Sequence, residues 1–363
     1  MVMKRLRVVY FMVANTAILL LLIQVGTHLA IRTYEDVLPR LLSPGRSDAV
    51  MQNYEHMAPN DRNDLLRATE VVRFRYAAVV GFVHQAISSR FLNIDEFGIR
   101  SNSPKSPDIA SMQGAIWFLG GSTAFGYGVA DSETIPAQLE RVTGRPVMNL
   151  GVSSYSSSEE NLLLHHYLKI GYRPSLALFL DGINEACVTN EYEREMRFLF
   201  DRAQRDYAWD VGGPVAYAYG RLSRRVKRMM GAEVDDPDSD QLTCIQDGKR
   251  NELRTLHERT LAERTALCRL YDIECQTWVQ PFAGLHGRRD AFATTFLEGY
   301  AVRLRELFEH LEPNWRAAGA LFLTDVLDHY NRHAFIDEVH YSADASRVIA
   351  EAIAARLVSA ENR

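Results

Sequence analysis

Five short apolar runs, each except the last closed by a residue that turns the chain, constrain the fold more than any other feature. AIWFL at 115–119 meets Gly120 and Gly121, PVMNL at 146–150 meets Gly151, and SLALFL at 175–180 meets Asp181 and Gly182. CQTWVQ at 275–280 meets Pro281, and ALFLT at 320–324 is the fifth. Runs this short, without polar alternation, read as strands covered on both faces, as in a parallel sheet. Helical patterns over 133–143, 158–170, 249–271, 290–311 and 344–358 separate them. The alternation predicts an α/β fold, a doubly wound domain around a parallel five-stranded sheet. Working residues in such sheets lie past the carboxyl ends of the strands, so the residues that close each run are the candidates for chemistry.

The start of the chain follows another rule. Lys4, Arg5 and Arg7 precede Val8–Ile31, which has no charge fixed at neutral pH. At about 1.5 Å per residue, a helix of that length crosses a hydrocarbon core roughly 30 Å thick. The basic cluster favours a cytoplasmic N-terminus with the bulk of the chain outside the cytoplasm, periplasmic or extracytoplasmic. The alternative is a cleaved signal peptide, whose apolar region is usually shorter and ends at a small-residue site. Residues 1–31 are therefore expected to be a basic tip and single-pass transmembrane anchor. Residues 32–110 then form a stalk and lead-in, and 111–363 the α/β domain. The loop SNSPKSPD at 101–108 marks the boundary.

The chain's 363 residues suit one catalytic domain with additions, and its 41 basic against 46 acidic residues offer no field for nucleic acid. A charged stretch at about 188–245 interrupts the strand–helix rhythm, either as a lid or partner surface or as a solvated helical excursion. Its basic segment RRVKR could meet anionic lipid or polymer, a weak signal on its own. The four cysteines, Cys187, Cys244, Cys268 and Cys275, show no zinc spacing. They are compatible with disulfides, Cys187 with Cys244 for instance, or with buried thiols.

Four strand ends carry chemical groups. In GGST, Ser122 follows two glycines where a helix begins, so free N–H groups lie beside its hydroxyl. A phosphate loop is the competing reading, but the P-loop lysine is missing. Gly151 closes the second run, where an N–H would face the same crevice, although a plain turn glycine has the same pattern. Asn184, in GINEA, could donate a side-chain N–H to a developing oxyanion, or could form an Asx-type turn. Asp337 and His340 stand three apart before the last helix. That spacing lets a carboxylate hold one imidazole nitrogen while the other takes a proton. His329 and His333 lie close by, but neither has an acidic residue three positions earlier.

Together and in this order, Ser122, Gly151, Asn184 and Asp337 with His340 resemble the blocks of the SGNH hydrolase family, the GDSL-like lipases and esterases. The first block reads GGST where the family has GDS, and the third reads GINE where it has G-x-N-D, so Gly121 and Glu185 depart from the pattern. The resemblance spans roughly 115–358. It implies a flavodoxin-like three-layer α/β/α domain and a catalytic triad of Ser122, His340 and Asp337. It also implies an oxyanion hole from Ser122, Gly151 and Asn184, and needs no metal or cofactor. NIDEFGIRS at 93–101 resembles a segment that precedes the first block in membrane-anchored envelope members, which often act on cell-surface polysaccharide. Two functions share these residues: an esterase for O-acyl, chiefly O-acetyl, esters on envelope carbohydrate, and an O-acyltransferase; a third reading, of another class, is a non-catalytic polysaccharide-binding member of an envelope complex. The partners expected are an acylated carbohydrate or small ester, the membrane, and other envelope components.

Overall fold

The computed structural model describes residues 2–32, 51–103, 109–185, 250–282, 297–330, 333–337 and 339–361. It divides into two units, one of Met1–Gly45 with Gln204–Gln241, the other of Arg46–Ala203 with Leu242–Arg363. In the first, α1 (Val2–Arg32) is a single 31-residue helix. Its Leu19, Leu20, Leu21 and Leu22 are exposed. Among the described residues no helix is long and apolar enough to cross a membrane. The side chains of Val8, Val9, Ala17, Thr27, His28, Ala30 and Ile31, part of the expected span, lie outside the described residues.

The second unit begins with α2 (Pro59–Glu70) and two antiparallel pairs, β1 (Phe74–Ala77) with β2 (Gly81–His84) and β3 (Ile87–Ser88) with β4 (Asn93–Ile94). The main sheet follows. Its strands are β5 (Ile116–Gly120), β6 (Val147–Gly151), β7 (Leu176–Asp181), β8 (Cys275–Val279) and β9 (Leu321–Phe322). All five are parallel, in the order β6-β5-β7-β8-β9. This is the flavodoxin-like order expected, with the first chain reversal between β5 and β7. Every residue of β5, β6 and β7 is buried, which is why these runs carry no polar alternation.

Alternate residues feed two cores. Trp117, Leu119, Leu150 and Phe179 pack on one face under α5 (Ser157–Lys169) and α6 (Arg250–Leu270). Ile116, Phe118, Leu178 and Trp278 pack on the other against Ile135 and Leu139 of α4 (Ile135–Thr143) and Ile349 and Ile353 of α8 (Ala343–Glu361). Helix α7 (Leu297–Ala317) adds Leu311 and Trp315 against Leu253 and Leu261 of α6. Helix boundaries follow local chemistry. Thr134 caps α4 and Gly144 ends it at φ 67°, while Ser156 and Glu159 form a reciprocal capping box that starts α5.

Two expectations change, and one reading left open is decided. The fifth strand is two residues long rather than five, because the chain turns away after Leu323 donates to Val279. The loop near 101–108 does not separate packed bodies. Phe82 and Ile99 belong to the core under α5, and Arg100 bridges to Asn149 on the outer strand β6. The lead-in from residue 51 is thus built into the second unit. Finally, Cys268 and Cys275 are joined in a disulfide across the turn from α6 into β8, where buried thiols were one reading. A Cys187–Cys244 bridge and the insertion at 188–245 lie outside the described residues.

Candidate active site

Ser122 opens α3 (Ser122–Phe125), a single turn of helix directly after β5. Gly120 makes the corner at φ 155°, where a Cβ would stand 2.5 Å from Ala124 Cβ and 3.1 Å from the Leu180 carbonyl oxygen. The turn is closed by Phe125 N–H on Gly121 O and Gly126 N–H on Ser122 O, at 3.0 and 2.9 Å.

The far end of that turn is held by the lead-in. Arg100, 1% exposed, donates to the carbonyls of Phe125 (2.9 Å), Gly126 (2.6 Å) and Val129 (2.6 Å). Its Nε donates to Asp131 at 3.0 Å, and Asp131 also accepts from Asn93. Arg100 of NIDEFGIRS therefore clamps the last carbonyl of the helix and two carbonyls of the loop that follows it. Replacing Arg100 with Met should cost about 3–5 kcal/mol, since it strands a buried Asp131 carboxylate. Melting curves should show the loss, and an Arg100→Met chain within 1 kcal/mol of wild type would refute the clamp.

His340 is presented by a hairpin in which Ile336 N–H donates to His340 O at 2.8 Å and Phe335 pairs with Tyr341. Asp337 accepts at Oδ1 from the backbone N–H groups of Val339 and His340, at 2.9 and 2.7 Å. Its Oδ2 lies 2.7 Å from His340 Nδ1, and His340 Nε2 lies 2.8 Å from Ser122 Oγ. Burial works against the Asp337 charge. The hydrogen bond from His340, with the two backbone donors, outweighs it and holds the carboxyl below its ordinary range. An ionised Asp337 fixes the imidazole proton on Nδ1, so Nε2 is bare and accepts from the Ser122 hydroxyl. The Tyr127 ring lies 4.5 Å from the imidazole, centroid to centroid. It is His340, and neither His329 nor His333, that reaches the serine.

Of the groups expected to receive an oxyanion, Asn184 keeps a free N–H and Gly151 does not. Asn184 donates one N–H to the Tyr155 carbonyl at 2.6 Å, which leaves the other for a ligand. Its Nδ2 stands against the peptide before the nucleophile, 2.2 Å from where a Cβ on Gly121 would be. Gly151 does not offer its N–H, which donates to Asn149 Oδ1 at 3.1 Å. It is glycine because α3 lies against it: a Cβ there would be 2.2 Å from Phe125 N. The turn that follows Gly151 holds Ser154, which sequence reading did not single out. It is exposed, sits at φ 69° in the turn closed by Tyr155 N–H on Val152 O, and its N–H has no partner among the described residues. A non-glycine residue at positive φ is strained, and a run of serines carries no mark of it.

Beneath Asn184 lies a buried cluster that sequence reading also missed. Glu160, Asp181 and Glu185 bring carboxylate oxygens within 4.8 Å of one another, the arrangement among the described residues that could hold a metal ion. Arg264 already supplies a cation there, donating to Asp181 at 2.9 and 3.1 Å and to Glu160 at 3.0 Å. Three carboxyls against one guanidinium leave excess negative charge. Burial and the Asp181 charge push Glu160 well above the carboxylate range and Glu185 up to about 7.

No protein-family model matches the chain, and no curated protein matches it. Solved structures do. The chain is similar to a carbohydrate acetylesterase family member from Sinorhizobium meliloti at 14% identity and TM-score 0.39, over 68% of this chain and 97% of that one. It is similar to an aryl esterase from M. smegmatis at 12% identity and TM-score 0.38, over 68% and 99%. A member of the lipolytic G-D-S-L family from Veillonella parvula matches at 13% identity and TM-score 0.36, over 65% and 94%.

Proposed function

We propose that the chain is a serine esterase that hydrolyses O-acyl, chiefly O-acetyl, esters by two-step acyl transfer. The observation that carries this reading is the unbroken line Asp337–His340–Ser122, 2.7 Å at the carboxylate and 2.8 Å at the hydroxyl. Ser122 Oγ attacks the ester carbonyl carbon as His340 Nε2 takes its proton, and Asp337 stabilises the imidazolium. The tetrahedral intermediate collapses, and the leaving alcohol takes that proton. Water, deprotonated by His340 in turn, attacks acyl-Ser122 and releases the acid. The oxyanion is received by the Ser122 N–H and the second Asn184 N–H, with the Ser154 N–H in the place expected of Gly151.

The substrate in this reading is an acylated carbohydrate of the cell envelope, with the chain tethered at 1–31 and the catalytic unit outside the cytoplasm. The tether is supported by Val8–Ile31, free of fixed charge and continuous within one helix behind Lys4, Arg5 and Arg7. The carbohydrate is supported by the resemblance of NIDEFGIRS to envelope proteins.

The test is release of acetate from p-nitrophenyl acetate by the full chain in detergent, wild type beside Ser122→Ala, with and without a short glycan acceptor. Wild type should turn over, and Ser122→Ala should lose about 10⁴-fold or more. Acetyl appearing on the glycan would make the protein an O-acyltransferase, with a sugar hydroxyl replacing water. A wild type as inert as the mutant would end the catalytic reading and favour a non-catalytic polysaccharide-binding role in an envelope complex.

A further inference from the structure

The geometry points to Glu185 as a positioning residue that sets the Asn184 amide for the oxyanion by tying the end of β7 to the start of α5. This inference rests on the esterase reading above. Glu185 is 3% exposed. Its Oε2 accepts the Gly182 N–H, and its Oε1 accepts both the Ser157 N–H at 2.8 Å and the Ser157 hydroxyl at 3.0 Å. Asn184 lies between the two pinned residues, Gly182 and Glu185. Its amide is pinned in turn on the Tyr155 carbonyl, two residues before Ser157. One carboxylate thus fixes both the segment that carries the amide and the helix start beside the amide's own acceptor.

The ionised form of Glu185 meets this demand, so the comparison belongs above the pH near 7 to which burial and Asp181 push its carboxyl. Both of its oxygens accept, and the donors come from opposite sides. A glutamine in the same place turns an N–H₂ toward either Gly182 N–H or Ser157 N–H, and that side must open. Asp181 and Arg264 continue the same structure. Ser157 Oγ also lies 3.0 Å from Asp181 Oδ2, and Asp181 is held by Arg264.

Glu159 supplies the control. It is 2% exposed on the same first turn of α5, and accepts from the Ser156 N–H and hydroxyl at 2.9 and 2.8 Å without touching 182–185. The experiment compares kcat, KM and Tm for Glu185→Gln, Glu159→Gln, Asn184→Ala and the Glu185→Gln/Asn184→Ala double variant in the full chain. Glu185→Gln should lower kcat about 10- to 100-fold with KM nearly unchanged, as a displaced oxyanion donor does. Glu159→Gln should lose similar Tm yet keep kcat. The double variant should be no slower than Asn184→Ala, since Glu185 acts through Asn184. Equal kcat losses in both Gln variants, or additive losses in the double variant, would overturn the inference. The nitrogen-15 resonance of the Asn184 side chain separates this result from failure of the esterase reading. If wild type proves inert, a shift in Glu185→Gln but not in Glu159→Gln still upholds the positioning role, and no shift in either rejects it.

Discussion

Asp337→Asn will lower kcat by about 10⁴-fold while leaving the fold and KM almost untouched, because it reverses the proton on His340 without moving the ring. The hydrogen bonds dictate how the new amide sits. Oδ1 accepts two backbone N–H groups, from Val339 and His340, so the amide oxygen must take that position. The N–H₂ then falls where Oδ2 was, 2.7 Å from His340 Nδ1, and donates to it. Nδ1 can accept only if the ring proton moves to Nε2, and a protonated Nε2 facing Ser122 Oγ cannot receive the hydroxyl proton. Binding surfaces are unchanged, so the loss should appear in kcat. Labelling of Ser122 by a fluorophosphonate, which needs the same proton transfer, should slow in parallel. A variant that keeps a tenth of wild-type kcat would remove Asp337 from the mechanism.

The sheet was legible because burial on both faces leaves a mark that does not depend on distant contacts. Ile116–Gly120, Val147–Gly151 and Leu176–Asp181 fall within a residue of the expected runs, since an apolar run has nowhere to go but the interior. The members of the Ser122–His340–Asp337 line were legible through spacing and order at strand ends. What escaped reading depends on where single groups point. Gly151 occupies the expected strand end, yet its N–H is taken by a side chain two residues earlier, and no pattern of residue types reveals that bond. Ser154 serves a turn that a glycine would advertise. Arg100 looks like a surface charge until the sheet forms. Only then do the carbonyls of Phe125, Gly126 and Val129, more than twenty residues away in sequence, converge on it. Glu160, Asp181 and Glu185 come from separate elements, and their meeting under Arg264 is a product of the helix-on-sheet packing. Periodicity reports faces, whereas polar networks are set by three-dimensional register.

Gly121 is where these two kinds of information meet, and its replacement yields the second large effect. Gly121→Ala will lower kcat about 10²-fold or more with little change in Tm. The residue is extended, at φ −79° and ψ −151°, outside the left-handed region that favours glycine. The added Cβ, however, would be 2.2 Å from Asn184 Nδ2 and 3.1 Å from the Tyr155 carbonyl oxygen. The amide is the end of a short side chain and can swing away at low cost in stability. Doing so breaks its bond to Tyr155 and withdraws its second N–H from the site. Loss of one such donor typically costs about 10²–10³ in kcat. Gly121→Asp, which restores the acidic residue of the GDS pattern, places the same Cβ and should be no more active than alanine. In this chain, then, Gly121 and the position of Asn184 are a matched pair. The diagnostic combination is a normal melting curve with low kcat in both variants, and low kcat that Asn184→Ala does not worsen. Near-wild-type turnover in Gly121→Asp would show that Asn184 has a second working position, and the amide as placed here would no longer define the oxyanion site.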